Sequence, residues 1–283
     1  MGIETFVNYW IGQEPTPPSP SLGDMPAAVD VAPLAFVNID DQDGQYVLDF
    51  DFLCSSNPAS EIKAAIDKLR SNGTRVLLSI LDAKLATVPD VDAFAAEVAD
   101  QAVEWGVDGI DLDYEPPGFS PGQQTTLLAL ASALRSALSS ALDTRPLLTA
   151  PIYAAWSEES EFLREFAAEL DFVTTMDYSP WPGLSSTQEF FEKYSTAIGD
   201  PEKIAIGVSC MGPADSPNFT PIEDVEAICQ WEPPGGTKRG VMLYTFSYDV
   251  TRRTVERPKE APRVSGTRLP DATFTNTIID NLP

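Results

Sequence analysis

The 283-residue chain contains no histidine. That excludes Ser-His-Asp and Cys-His nucleophilic chemistry and the common zinc sites, so any catalysis must run on carboxylates, hydroxyls and the substrate itself. Cysteine is scarce. Cys54, Cys210 and Cys229 cannot all pair within one chain, and small apolar filler is the expected role, ahead of a disulfide framework or a metal site. Basic residues are few, 18 Lys and Arg against 43 Asp and Glu, for a formal charge of -25. Phosphate would be repelled across such a surface, so nucleic acid is not an expected partner. A neutral or cationic substrate fits better, and salt adaptation or high solubility would suit the same composition. No run approaches the ~20 apolar residues of a transmembrane helix, and no membrane association is expected. Met1 to Trp10 runs into a strand with no basic-then-apolar leader, so the expectation is an intracellular chain or a mature secreted form.

What the chain has is a recurrent alternation. Short β-branched or apolar runs occupy Thr5 to Tyr9, Leu34 to Asn38, Arg75 to Ile80, Gly109 to Asp113, Leu147 to Ala150, Phe172 to Met176, Lys203 to Val208 and Gly240 to Phe246. Helical periodicity fills Ser60 to Arg70, Val91 to Trp105, Gln123 to Leu142, Glu158 to Leu170, Ser186 to Ile198, Ile222 to Cys229 and Asp271 to Asn281. Ile62, Ile66 and Leu69 show the 3.6-residue repeat, and Asn72-Gly73 closes that helix. Alternating strands and helices predict a parallel α/β fold. Eight such units in about 250 residues match a single-domain (β/α)8 TIM barrel, taken here as residues 1–283, with its site at the C-terminal strand ends.

Onto the fourth strand the sequence places Asp108, Asp111, Asp113 and Glu115. Side chains two apart on a strand share a face, so Asp111, Asp113 and Glu115 project together while Asp108 has the opposite parity and is read as structural. The flanks argue for burial: Ala99 to Trp105 is helix-like, Gly106 supplies a stop, and Val107 to Leu112 is apolar. Crowded carboxylates in a partly desolvated place raise one another's pKa, and one should hold the proton that a general acid needs. The other strand ends offer Tyr9, Trp10, Asn38, Asp82, Tyr153, Trp156, Asp177, Tyr178, Trp181 and Tyr244. Aromatic rings beside carboxyls suit a sugar. Trp105, on its helix, is ordinary packing. The late basic residues, Lys238, Arg239, Arg252, Arg253, Arg257, Lys259, Arg263 and Arg268, read as a solvated loop.

Asp-x-x-Asp-x-Asp-x-Glu on the fourth strand of such a barrel resembles glycoside hydrolase family 18, the chitinases and endo-β-N-acetylglucosaminidases. Val76-Leu77-Leu78-Ser79-Ile80, Met176-Asp177-Tyr178 and Gly240-Val241-Met242-Leu243-Tyr244 look like the family's third, sixth and eighth strands. The resemblance implies that Glu115 is the proton donor, Asp113 orients the substrate's acetamido group, Asp111 holds Asp113, and Tyr178 binds the acetamido oxygen. It further implies sugar contacts at Tyr9, Asn38, Ser79, Asp82, Tyr153, Met176, Asp177, Trp181 and Tyr244, with no cofactor and no metal. The partner would be an N-acetylglucosamine-containing glycan or glycoprotein, bound by a monomer.

Several positions depart from the chitinase pattern. Ser79-Ile80-Leu81-Asp82 stands for Ser-x-Gly-Gly, Ser179 follows Met-x-Tyr where Asp is usual, and Tyr244 replaces the usual tryptophan. The third-strand region and Tyr244 look closer to endo-β-N-acetylglucosaminidases acting on the N-glycan core, whereas Tyr114 looks more like chitinases. Val208 to Gly240 is too short for an insertion domain, so a shallow, endo-acting cleft is expected. Two other readings stay open: a non-catalytic chitinase-like lectin, and an unrelated barrel enzyme holding a divalent cation on Asp111, Asp113 and Glu115.

Overall fold

The computed structural model describes residues 4–14, 21–116, 118–178, 183–212, 216, 218–234, 236–251 and 272–282. Its strands are β1 (Thr5–Asn8), β2 (Trp10–Ile11), β3 (Val31–Gln42), β4 (Gln45–Asp49), β5 (Arg75–Leu81), β6 (Gly109–Asp113), β7 (Leu147–Ile152), β8 (Phe172–Thr175), β9 (Ile204–Ser209) and β10 (Gly240–Tyr244). Around them lie α1 (Ala59–Ser71), α2 (Val91–Trp105), α3 (Pro121–Ala141), α4 (Ala154–Ser157), α5 (Ser160–Glu169), α6 (Leu184–Ile198), α7 (Ile222–Gln230), α8 (Phe246–Thr251) and α9 (Thr273–Asn281). Parallel pairing runs from β10 back through β9, β8, β7, β6 and β5 to β3, and β1 bridges β10 and β3, which closes the ring. With β1 and β2 as one interrupted position, eight strands form a (β/α)8 barrel. All eight strand runs and seven helical runs read from the sequence are present, with ends shifted by a few residues.

Burial on both faces explains the near-continuous apolar strands. Outward side chains such as Ile110, Leu112 and Val173 pack under the helices in the main core, while Val7, Phe36, Leu77, Phe172 and Met242 fill the barrel interior. Local signals set the helix ends. Asp90 caps α2 by accepting from Ala93 N at 3.0 Å, and Gly106 ends it in the left-handed conformation at φ 67°. Ser120 and Gln123 form a capping box at the start of α3.

The N-terminal end of the barrel is tied by a repeated device. Asp30, Asp108 and Asp171 each stand one residue before a strand and accept the backbone N–H of a neighbouring strand residue: Phe6 at 2.8 Å, Val76 at 2.9 Å and Leu148 at 2.9 Å. Asp108 is further held by Arg70 and Arg75, and Asp171 by Arg135 and Arg145. Asp108 therefore sits at the opposite end of the barrel from Glu115.

One element was not visible in the sequence. β3 runs past the barrel and pairs antiparallel with β4, and this hairpin packs on α2 through Tyr46 against Phe94 and through Phe50 stacked on Trp105 at 4.5 Å. Lys238 corrects the expectation of a solvated basic loop. It is buried and donates to Glu4 at 2.8 Å and to the Cys229 and Trp231 carbonyls, because a buried ammonium needs acceptors on every side. Arg239 is half-buried over the Phe172 ring at 5.2 Å, and the other basic residues of that group, from Arg252 to Arg268, lie outside the described residues, as does Trp181. Among the described residues no helix is long and apolar enough to cross a membrane. Among the described residues none of the three cysteines forms a disulfide.

Candidate active site

In-register pairing of β5, β6 and β7 puts Ser79, Asp111 and Thr149 side by side at one level of the barrel. Asp111 is fully buried there. Its Oδ2 accepts from Tyr9 Oη at 2.8 Å and Ser79 Oγ at 2.7 Å, and its Oδ1 accepts from Thr149 Oγ1 at 2.6 Å. Burial raises this carboxyl above its usual range, and the three hydroxyl donors pull it back down. Those donors suit an anion and occupy the oxygens that a cation would need. Among the described residues no acidic cluster is arranged to hold a metal ion.

One step nearer the C-terminal end, Asp113 is buried and its Oδ1 receives no donor from the described residues. Burial, then the charge of Glu115, then that of Asp111, push its carboxyl well above the usual range, and it donates a hydrogen bond to Glu115. Glu115 follows the end of β6 and is exposed. Partial desolvation raises it, while the bond from Asp113 lowers it. The pair therefore retains a proton that either carboxyl can carry, with one member open to a ligand.

Aromatic rings surround this pair. Tyr244, at the end of β10, stacks on Tyr178 at 6.4 Å with an interplanar angle of 6° and meets Tyr9 edge-on at 5.9 Å. Phe36 also stacks on Tyr244 at 6.4 Å, and Phe52 lies 6.3 Å from Phe36. The hydroxyls of Tyr178 and Tyr244 are both pushed up, by burial first, with Asp113 and Glu115 adding to the shift. Tyr153, half-buried after β7, is pushed up to about 12 by burial and then by Glu115. The peptide bonds Ala35–Phe36 and Tyr244–Thr245 are cis.

The expected residues thus separate into groups. Tyr9, Ser79, Asp111, Asp113, Glu115, Tyr153, Tyr178 and Tyr244 converge on one centre, with Met176 half-buried at the end of the neighbouring strand. Others are spent on structure. Asn38 donates to the Leu81 carbonyl at 2.8 Å, and Asp82 accepts from Ile39 N, Lys84 N and Lys84 Nζ, so both tie β3 to the end of β5 and the turn that follows it. Asp177 is buried and bound to Tyr194 Oη at 2.8 Å on α6. Trp10 and Trp156 do not line the cleft. Trp10 is fully buried and donates to Glu14, and Trp156 packs among Phe119, Phe162 and Phe166, because these large rings gain most by complete burial.

Sequence reading missed Thr149, Phe36 and Phe52. Thr149 left a weak signal, a lone hydroxyl inside the run Leu147–Ala150. Phe36 sat unremarked in a predicted strand, and Phe52 follows the unforeseen hairpin.

Residues 5–254 match the family model described as Glycosyl hydrolases family 18. The chain belongs to this family. It is therefore a glycoside hydrolase, and the four acidic positions of the fourth barrel strand are those on which the resemblance rested. No curated protein matches it in sequence. Among solved structures it is similar to a family 18 chitinase from Pseudoalteromonas aurantia, with 17% identity, TM-score 0.72, and coverage of 99% of this chain and 100% of that one. An endo-β-N-acetylglucosaminidase from Cordyceps militaris, in complex with fucosyl-N-acetylglucosamine-Asn, gives 17% identity, TM-score 0.68, and coverage of 100% and 92%. A family 18 chitinase from Cycas revoluta in complex with (GlcNAc)3 gives 15% identity, TM-score 0.68, and coverage of 98% and 99%. At these identities the likeness speaks for the glycoside hydrolase fold.

Proposed function

We propose that this glycoside hydrolase is a retaining endo-β-N-acetylglucosaminidase that cuts the β-1,4 bond of the N-glycan chitobiose core by substrate-assisted catalysis. The observation that carries the mechanism is the state of Asp113: a buried carboxyl with no donor on Oδ1 among the described residues, hydrogen-bonded to Glu115 and flanked by the charge of Asp111. A substrate acetamido N–H is the donor that such a group lacks.

With a sugar bound, Glu115 delivers its proton to the glycosidic oxygen. The acetamido carbonyl oxygen attacks C1 from the opposite face, the bond to the leaving sugar breaks, and an oxazolinium ion forms. Asp113 accepts from the acetamido N–H and balances the positive charge that develops there, while the Tyr178 hydroxyl donates to the carbonyl oxygen. Asp111, held by three hydroxyls, stays behind as a fixed negative charge. Glu115 then removes a proton from water, which opens the ring from the leaving-group side and retains the anomeric configuration. Substrate-assisted enzymes of this kind are an exception to the two-carboxylate scheme.

The N-glycan core is preferred over chitin because among the described residues between β9 and β10 α7 is the only helix, and an open mouth accommodates a branched glycan. A chitin-cutting enzyme is the second reading, favoured by Tyr114 between the two acids. Digesting a high-mannose glycopeptide and a chitin oligomer in parallel, with mass spectrometry of the products, decides between them. Glu115→Gln should abolish cleavage and keep sugar binding; undiminished turnover would remove Glu115 from its role.

A further inference from the structure

We infer that Phe52 is a specificity-determining residue of this site: it forms the platform for the pyranose ring that follows the reacting N-acetylglucosamine on its non-reducing side. The inference rests on the proposed glycosidase reading and extends it to a residue outside the eight strands. Tyr178, Tyr244, Phe36 and Phe52 form a continuous row, each ring 6.3 to 6.4 Å from the next. One end of the row, Tyr178 and Tyr244, feels the charges of Asp113 and Glu115 and so flanks the reacting sugar. Tyr153, after β7, feels the charge of Glu115, the acid that meets the leaving-group oxygen in the proposed reaction. The far end of the row lies on the β3 side, three strand positions around the barrel from β7, and so is assigned to the sugar on the non-reducing side.

Phe52 is half-buried, and the segment that carries it is fixed from both flanks. On one flank Phe50 stacks on Trp105 and Tyr46 meets Phe94, which clamps the β3–β4 hairpin to α2. On the other, Asn57 donates to Glu14 at 2.8 Å, Ser56 accepts from Glu14 N at 3.1 Å, and Gly12 lies so close to the Leu53 backbone that a Cβ there would overlap the Leu53 carbonyl oxygen. A ring held this way loses little entropy when a sugar's C–H face packs on it.

The test compares wild type, Phe52→Ala and Phe52→Tyr, with folding checked by thermal unfolding. On whichever of the glycopeptide or chitin oligomer the wild type cleaves, Phe52→Ala should lower kcat/KM about three- to tenfold, mainly through KM, and Phe52→Tyr should restore it. In a Glu115→Gln background, Phe52→Ala should weaken binding of the N-acetylglucosamine trimer by the same factor and leave the monomer unchanged, measured by ligand-observed NMR. Values for the trimer within twofold of the parent, or an equal loss for monomer and trimer, would overturn the inference. Should the wild type cleave neither substrate, the glycosidase reading fails while the binding comparison still decides Phe52.

Discussion

Asp177 is bound to a helix, and replacing it by asparagine tests that placement with a worked magnitude. Its carboxyl is buried, Oδ1 accepts from Tyr194 Oη at 2.8 Å, and Oδ2 has no partner among the described residues. Burial pushes it up to about 7, against the opposing pull of the Tyr194 hydroxyl and the Lys193 charge. An Asp whose folded value exceeds its unfolded one binds more protons when folded, so its contribution to stability is fully present below the unfolded value and is lost as pH rises through the folded one. The step from 3.8 to about 7, at 1.36 kcal/mol per unit, amounts to about 4 kcal/mol as an upper bound. Halved for relaxation and water entry, about 2 kcal/mol remains, or about 3–4 °C in Tm for a domain of this size. Asn keeps the acceptor for Tyr194 and cannot ionise. The Tm difference between Asp177→Asn and wild type should therefore grow in the variant's favour between pH 4 and pH 8, while kcat changes less than about tenfold. The pH dependence is the cleaner readout, since the new amide N–H groups carry a cost that is constant with pH. Parallel Tm profiles for the two proteins would refute the buried-anion argument, and a collapse of kcat at full stability would return Asp177 to the substrate.

Thr149→Val removes the only donor to Asp111 Oδ1 among the described residues and should cost about 1.5–3 kcal/mol of unfolding free energy, the worth of a hydrogen bond to a charged group; chemical denaturation that shows no loss would mean that Asp111 is not an anion in the resting enzyme. Asp108→Asn should lower Tm, because Arg70, Arg75 and Val76 N lose a charged acceptor, yet leave kcat within twofold; the reverse pattern in steady-state assays would contradict its assignment to the far end of the barrel.

Most of the barrel was legible because its signals are local and repeated. A strand buried on both faces must be apolar throughout, and the helices between announce themselves by period and by stops such as Gly106. The hairpin was not legible, since residues from Ile39 to Asp51 mix acids and aromatics and owe their pairing to contacts with α2 that only the fold creates. Side-chain parity correctly separated Asp108 from the other three acids. It could not show that Asp177, beside Tyr178 in a family motif, would turn to α6, nor that two of the tryptophans at strand ends would be interior. Position at a strand end places a residue near the mouth; its direction is decided by packing.

The four carboxylates of the fourth barrel strand form a gradient along the barrel axis, and the gradient explains how acid catalysis can proceed without histidine. Asp108 has two guanidinium groups and a backbone N–H. Among the described residues Asp111 has three hydroxyls and no cation, and Asp113 has only another carboxyl. Glu115 faces solvent. Satisfaction thus falls toward the C-terminal end, and the pKa pressure builds where a ligand can enter. Neither Asp111 nor Asp113 can relieve that pressure by moving into water, since both are buried. Under the proposed reading, a substrate that brings an N–H to Asp113 and a basic oxygen to Glu115 gives the Asp113–Glu115 pair the donor it lacks and an outlet for its proton. A histidine would supply a titrating group by its own chemistry; here the same function arises from the order in which ordinary acids are deprived of partners.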